Sequence, residues 1–121
     1  MRAVPWLFAC LLMLTGCFEA APVAPQIAPI EIVARSPGVD QEAACSLSRD
    51  EVAAGVHDVI VLAEGDATTV RITAGDGSRV LESSARADGA ASTSVDLVEG
   101  EYDVQCTWSS GEQTATFRVT G

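Results

Sequence analysis

Short segments in which apolar and polar residues alternate dominate the chain from about residue 43 onward. The alternation is clearest near the end, where Tyr102, Val104, Cys106 and Trp108 fall on one face of a strand and polar residues on the other. These segments are rich in β-branched residues, which is typical of strands rather than helices. The pattern predicts seven strands, at about 43–48, 56–63, 67–74, 79–84, 92–97, 101–108 and 113–120.

Residues that favour tight turns separate the predicted strands. Most of them are pairs of glycine with an acidic residue or serine, and such pairs supply the positive φ angles that short hairpins require. After Asp58 both faces of the strand at 56–63 become apolar, so we expect that strand to lie in the middle of a sheet. The sequence therefore predicts an all-β fold, a seven-stranded antiparallel β-sandwich over residues 43–121. The turn residues are Gly55, Gly65-Asp66, Asp76-Gly77, Asp88-Gly89, Glu99-Gly100 and Ser110-Gly111.

The first residues have the pattern of an export signal. Arg2 is followed by an uninterrupted apolar stretch over residues 4–14. A transmembrane helix needs about 20 apolar residues, so this stretch is too short to span a bilayer and fits the apolar region of a signal peptide.

The motif Leu14-Thr15-Gly16-Cys17, placed directly after the apolar stretch, resembles the lipobox of bacterial lipoproteins. The resemblance implies that signal peptidase II cleaves between Gly16 and Cys17, and that Cys17 is lipidated. An ordinary secretory signal, cleaved near residues 20–21, is the alternative. The lipoprotein interpretation predicts a protein anchored through lipid on the extracytoplasmic face of a cell membrane or an outer membrane.

A segment rich in Pro and Ala follows the lipobox. Proline favours an extended backbone and cannot sustain a helix or a central strand. The predicted organisation is a signal peptide over 1–16, a lipidated Cys and tether over 17–42, and the sandwich domain over 43–121. Within the tether, the apolar alternation at residues 30–33 could add an edge strand to the domain.

The charge of the chain excludes one class of partner. The 121 residues include 17 acidic and 7 basic side chains, for a net charge of −10, and every basic residue is arginine. This excess of acid repels nucleic acid and anionic lipid headgroups. We therefore expect no nucleic-acid partner, and membrane contact through the lipid on Cys17 alone.

Two cysteines remain for the folded domain if Cys10 leaves with the signal peptide and Cys17 carries lipid. These are Cys45 and Cys106, and both share a face with apolar residues of their predicted strands. An exported domain folds in an oxidising compartment, where such a pair forms a disulfide. The sequence therefore predicts a bridge between Cys45 and Cys106.

The segment from Leu97 to Tyr102 resembles a corner found in immunoglobulin-like and cupredoxin-like sandwiches, where a Tyr after a Gly turn bonds back to the backbone. Either fold is compatible with the sequence. A blue-copper protein would continue from the Cys to a His and a Met, but here Cys106 is followed by Thr-Trp-Ser-Ser-Gly-Glu. A cupredoxin likeness therefore implies the architecture without the copper site.

His57 is the single histidine, and at a strand start it is expected to be exposed or half-buried. A zinc or copper site needs two or more N or S donors, so we predict no metal, no cofactor and no catalytic residue. The expected function is a non-enzymatic binding or accessory domain, with an envelope protein or a ligand as its partner. The alternative is a metal-handling protein of degenerate cupredoxin type that uses carboxylates and His57.

Overall fold

The computed structural model describes residues 28–121, which form nine strands and no helix. Each of the seven predicted strands is present, as β2 and β4 to β9, and two further strands, β1 and β3, complete the set. The strands are β1 (Ile30–Arg35), β2 (Ala44–Leu47), β3 (Glu51–Ala53), β4 (Gly55–Glu64), β5 (Thr68–Ala74), β6 (Arg79–Ala85), β7 (Ala90–Leu97), β8 (Gly100–Trp108) and β9 (Gly111–Thr120).

The strands form two sheets, one with the order β2-β1-β4-β7 and the other with the order β3-β9-β8-β5-β6. One apolar core contains side chains from both sheets, so the all-β sandwich is confirmed. Two neighbouring pairs, β1 with β4 and β3 with β9, run parallel. The other neighbouring pairs run antiparallel, as expected, so both sheets are mixed. Parallel neighbours are joined by long connections, and no local turn signal in the sequence reveals such a pairing.

Strand β1 lies in the interior of the four-stranded sheet, between β2 and β4. Ile30, Ile32 and Ala34 are fully buried, and Ile32 pairs with Val61 of β4. The predicted strand at residues 30–33 exists, but it is a core strand and not an edge strand. The folded domain therefore begins at Ile30 or before it, and not after residue 42 as the sequence predicted. The apolar alternation of this segment outweighs the effect of its neighbouring prolines.

A disulfide between Cys45 and Cys106 joins the two sheets across the core. Cys45 lies on β2 and Cys106 on β8, and their Cα atoms are 5.8 Å apart. Cys106 is fully buried, and Cys45 is half-buried against the core. The predicted bridge is confirmed, and it connects strands that are 61 residues apart in sequence.

The turn before β8 is closed by Tyr102. Its hydroxyl donates to the carbonyl of Val98 at 2.7 Å and accepts the Val98 amide at 3.2 Å. The ring is buried and stacks on Phe117 of β9, with 5.2 Å between the ring centroids. The expected bond from this Tyr back to the backbone is confirmed, and it fixes the corner between β7 and β8.

The turn between β4 and β5 depends on a close approach to Ser36. Gly65 has a φ of +97°, and a Cβ at this position would overlap Ser36 Oγ. That buried hydroxyl accepts the Asp66 amide at 2.9 Å. Position 65 therefore requires glycine for both its backbone conformation and its space.

Candidate functional site

An open cleft of about 620 Å³ lies at one end of the five-stranded sheet, where β5 begins and β6 and β8 end. Antiparallel pairing creates it, because Thr69 is opposite both Ser84 and Thr107. Residues that are distant in sequence therefore form a single surface. The cleft is lined by Ala67, Thr68, Thr69, Ser84, Ala85, Arg86, Thr107, Trp108 and Ser109.

Hydroxyl groups make up much of the cleft wall. The buried Thr68 donates to the carbonyl of Thr107 at 3.0 Å, and Thr69 Oγ1 lies 3.1 Å from Ser84 Oγ. Within residues 28–121 the exposed hydroxyls of Thr107 and Ser109 have no hydrogen-bond partner. The wall therefore offers hydroxyls that can donate to or accept from a ligand.

Trp108 closes the inner side of the cleft. The residue is 4% exposed, and its Nε1 is buried with no hydrogen-bond acceptor among the described residues. A buried indole N–H normally has a partner, since an unpaired buried donor costs about 1–3 kcal/mol. Trp108 therefore contributes a nearly buried apolar side chain to the cleft lining and carries a buried donor that the described residues do not satisfy.

Arg86 is the one charged residue that lines this cleft among the residues described. Four arginines of the described part of the chain form ion pairs with carboxylates, and Arg49 donates to the carbonyls of Ala28 and Pro29. Within residues 28–121 the guanidinium of Arg86 has neither kind of contact. In a chain with 17 acidic residues, this leaves one positive charge at a cleft lined by no carboxylate.

A shallow groove continues from the cleft over the outer face of the sheet. It shares Thr69, Ser84 and Thr107 with the cleft and adds Arg71 and Glu82. Arg71 donates to Glu82 at 2.8 Å, and this hydrogen bond holds the pKa of Glu82 below its usual value. The two side chains compensate each other, so the groove presents no unpaired charge of its own.

The opposite end of the same sheet carries a cleft of different character. It measures about 420 Å³ and is lined by three carboxylates and one arginine, Arg118. Arg118 donates to Glu101 at 2.9 Å, and this hydrogen bond raises the pKa of the guanidinium. This second cleft is acidic, whereas the cleft at Arg86 is positive.

Neither models of known protein families nor curated proteins match the sequence. Residues 28–121 bring together no group of three or more His, Cys, Asp or Glu side chains suited to a metal ion. The same part of the chain forms no helix with the length and apolarity needed to cross a bilayer.

His57 lies inside the core, so the expectation of an exposed or half-buried side chain was wrong. It is 1% exposed and shares the inward face of β4 with Val59 and Val61. Its Nε2 lies 2.6 Å from the carbonyl oxygen of Ala53. A carbonyl only accepts, so Nε2 carries the proton and has no lone pair to give to a metal. Nδ1 has no hydrogen-bond partner in the part of the chain described.

The carboxylates that could have joined His57 do not do so. Asp58 follows His57 on β4 and lies on the opposite face, where Ser94 donates to it at 2.9 Å. Asp96 pairs with Val56 across the two strands and is exposed to solvent, and Asp103 lies on β8 of the other sheet. The alternation of each strand thus separates these acids from the imidazole.

Two of the Asp-Gly turns use their carboxylates as acceptors for backbone amides, Asp76 within its own turn and Asp88 from the turn at Gly65. Asp76 Oδ1 accepts the amide of Ser78 at 2.9 Å and its hydroxyl at 2.7 Å, which lowers the pKa of Asp76. Asp88 Oδ1 accepts the Gly65 amide at 2.8 Å, and Asp88 itself adopts a φ of +53°. Both carboxylates are therefore occupied in turn hydrogen bonds, as the turn assignment predicts.

Of the residues singled out by sequence, Gly16 and Cys17 lie outside the described residues, together with the rest of the predicted signal peptide. Cys45 and Cys106 are brought together as a disulfide. The cleft at Arg86 was not anticipated. Nothing in the spacing of Arg86 marks it, and only the composition, with its few and uniformly arginine cations, could have drawn attention to it.

Proposed function

We propose that this protein is an exported, lipid-anchored lipoprotein whose β-sandwich is a non-enzymatic binding module. The observation that carries export is the disulfide between Cys45 and Cys106. Disulfides form and persist in oxidising compartments and are rare in the cytosol. The bridge therefore agrees with the export signal expected from residues 1–16.

The lipid anchor rests on the motif that ends at Cys17. The folded domain uses Cys45 and Cys106 with each other, which leaves Cys17 free of that pairing. Two acyl chains or more on one Cys hold a protein stably on a membrane, whereas one chain binds marginally. Between Cys17 and the first strand at Ile30 the chain has room for a spacer that lifts the domain from the bilayer.

The binding role rests on the cleft at Arg86. It is open, it lies at the end of a rigid sheet, and its charge is opposite to that of the chain as a whole. β-Sandwiches commonly bind through the loops at one end of the sheets. The described residues arrange no nucleophile with a base, since the one imidazole is turned into the core.

The strand order is compatible with both sandwich types that the sequence resembles. The order β9-β8-β5-β6 matches the strands G, F, C and C′ of an immunoglobulin-type sheet, while the parallel pairs β1–β4 and β3–β9 make both sheets mixed. The likeness supports the architecture, and no contact among the described residues favours metal handling. Calorimetry with Cu²⁺ and Zn²⁺ tests that alternative: a stoichiometric site with a Kd below about 1 µM would replace the binding-module proposal.

The experiment that tests the anchor compares Cys17→Ala with Cys10→Ala in a bacterium supplied with a clickable fatty acid. We expect the parent and Cys10→Ala to be labelled and to sediment with membranes. Cys17→Ala should lose the label, because the acceptor thiol is absent. Equal labelling of Cys17→Ala and the parent would refute the anchor.

A further inference from the structure

The cleft at Arg86 has the chemistry of an anion site, and we propose that it binds an acidic sugar of about one hexose unit, with the carboxylate on Arg86. The inference rests on the proposed binding function and names its ligand class. Arg86 is the cation of the cleft, and the residues that line the cleft include no carboxylate to oppose it among those described. A guanidinium offers parallel N–H donors that match the two oxygens of a carboxylate.

The backbone that carries Arg86 is held in place on both sides. Its carbonyl accepts the Gly89 amide at 2.8 Å, and the Gly89 carbonyl accepts the Ala63 amide at 2.9 Å. The Asp88 amide donates to the carbonyl of Gly65 at 3.0 Å. These bonds connect the turn after β6 both to β4 and to the turn between β4 and β5. The backbone of Arg86 is therefore held at the cleft, and its exposed side chain, which has no hydrogen bond or ion pair among the described residues, can reach a ligand group there.

The charge balance favours a single carboxylate over a phosphate. One guanidinium neutralises one negative charge, and the remaining polar groups of the wall are neutral hydroxyls. The net charge of −10 further disfavours a multiply charged anion. A monocarboxylate fits this single positive charge, whereas a phosphate dianion would remain half compensated.

The rest of the wall suits the body of a sugar. Free hydroxyls of Thr107 and Ser109 can exchange hydrogen bonds with sugar hydroxyls. Ala67 supplies exposed apolar surface for the C–H groups of a pyranose ring, and the nearly buried Ala85 and Trp108 add a small apolar area to the lining. The volume of about 620 Å³ is in the range of small-molecule sites.

Trp108 provides the probe for a binding experiment. Trp6 and Trp108 are the two tryptophans of the chain, so Trp6→Phe leaves Trp108 as the sole tryptophan, which is excited selectively at the red edge of the absorption band. The full chain carrying Trp6→Phe is titrated in detergent with D-glucuronate, D-glucose, acetate and inorganic phosphate. We expect a saturable change of Trp108 emission with glucuronate, with a Kd of about 1 mM for a ligand of this size. Glucose and acetate should bind at least about tenfold more weakly, since each lacks half of the recognised groups.

Two arginine variants decide whether the response belongs to the cleft. Arg86→Gln should weaken glucuronate binding about tenfold, because it removes a charge-assisted hydrogen bond. Arg118→Gln, in the acidic cleft at the other end of the sheet, should leave the Kd unchanged. Arg86 is exposed, so its variant should fold, and circular dichroism checks this.

Several results would overturn the ligand assignment. These are the absence of any saturable response, equal affinity for glucose, tighter binding of phosphate or acetate, and unchanged affinity in Arg86→Gln. The outcome is separate from that of the lipid-labelling experiment. The titration uses the full chain whether or not Cys17 is acylated, so a failed anchor would leave the cleft assignment standing.

Discussion

Removal of the Cys45–Cys106 disulfide should cost about 4 kcal/mol of the free energy of unfolding, the loop-closure entropy for a cross-link that spans a separation of 61 residues. The bridge connects the two sheets, so its loss frees strands that no short turn holds together. Strain and residual structure in the unfolded chain reduce the effect, and a loss of about 2–5 kcal/mol is expected. The variant is Cys45→Ala with Cys106→Ala, which leaves no unpaired thiol at either position.

The assay is guanidinium chloride unfolding, followed by circular dichroism, of the full chain with both cysteines intact and of the double variant. The intact chain in reductant serves as a second route to the same state and should reproduce the loss. The m-value should rise without the cross-link, because the unfolded chain then exposes more surface. Ser46→Ala, at an exposed position next to Cys45, should stay within about 0.5 kcal/mol of the parent.

A loss of less than about 1 kcal/mol in the double variant would show that the chain-entropy effect is absent. An unchanged unfolding transition of the intact chain in reductant would contradict the same prediction. Mass spectrometry after thiol labelling gives an independent reading. Both Cys45 and Cys106 should be protected in the native chain before reduction and labelled after it.

Three further predictions concern the turns and one ion pair. Tyr102→Phe should lose about 1–2 kcal/mol of stability, because two hydrogen bonds to the Val98 backbone disappear; a thermal transition equal to that of the parent would contradict this. Gly65→Ala should lower the free energy of unfolding by about 2 kcal/mol or more, because the new Cβ adopts a positive φ and overlaps a buried hydroxyl. Gly77→Ala has the positive φ but open space around it, so it should cost about 1 kcal/mol. Equal losses of the two variants in urea unfolding would argue against the overlap. The pKa of Glu82 is lowered from 4.5 in the folded chain, so its contribution to stability is present above that value and is lost as the pH falls through the lower folded pKa. Glu82→Gln should therefore reduce the pH dependence of the free energy of unfolding in acid. An unchanged pH profile would count against a stabilising ion pair between Glu82 and Arg71.

The positions of most strands could be read from the sequence because they depend on local chemistry. Alternation along β8 places Tyr102 and Trp108 in the core, and the structure agrees. The turns were equally visible, since positive φ angles at Gly65 and Gly77 demand residue types that the sequence shows directly. The disulfide followed from the inward placement of two cysteines on predicted strands.

The sequence could not predict which strands lie next to each other in the sheets. Ile30 and Ile32 alternate like residues of any strand, and only the assembled sheet shows that β1 lies between β2 and β4 and runs parallel to β4. The burial of His57 required the same information, because its face of β4 becomes the inner face once the second sheet covers it.

The residues of the candidate site could not be grouped from the sequence. Arg86 and Trp108 are 22 positions apart (108 − 86) and share no motif. They line one cleft because β5 pairs with β6 on one side and with β8 on the other. The sequence by itself determined which residues form strands, turns and the bridge, since periodicity and turn chemistry act over a few residues. The tertiary structure decided the strand order, the burial of His57 and the absence of an ion pair at Arg86 among the described residues, because these depend on pairing between segments that are far apart along the chain.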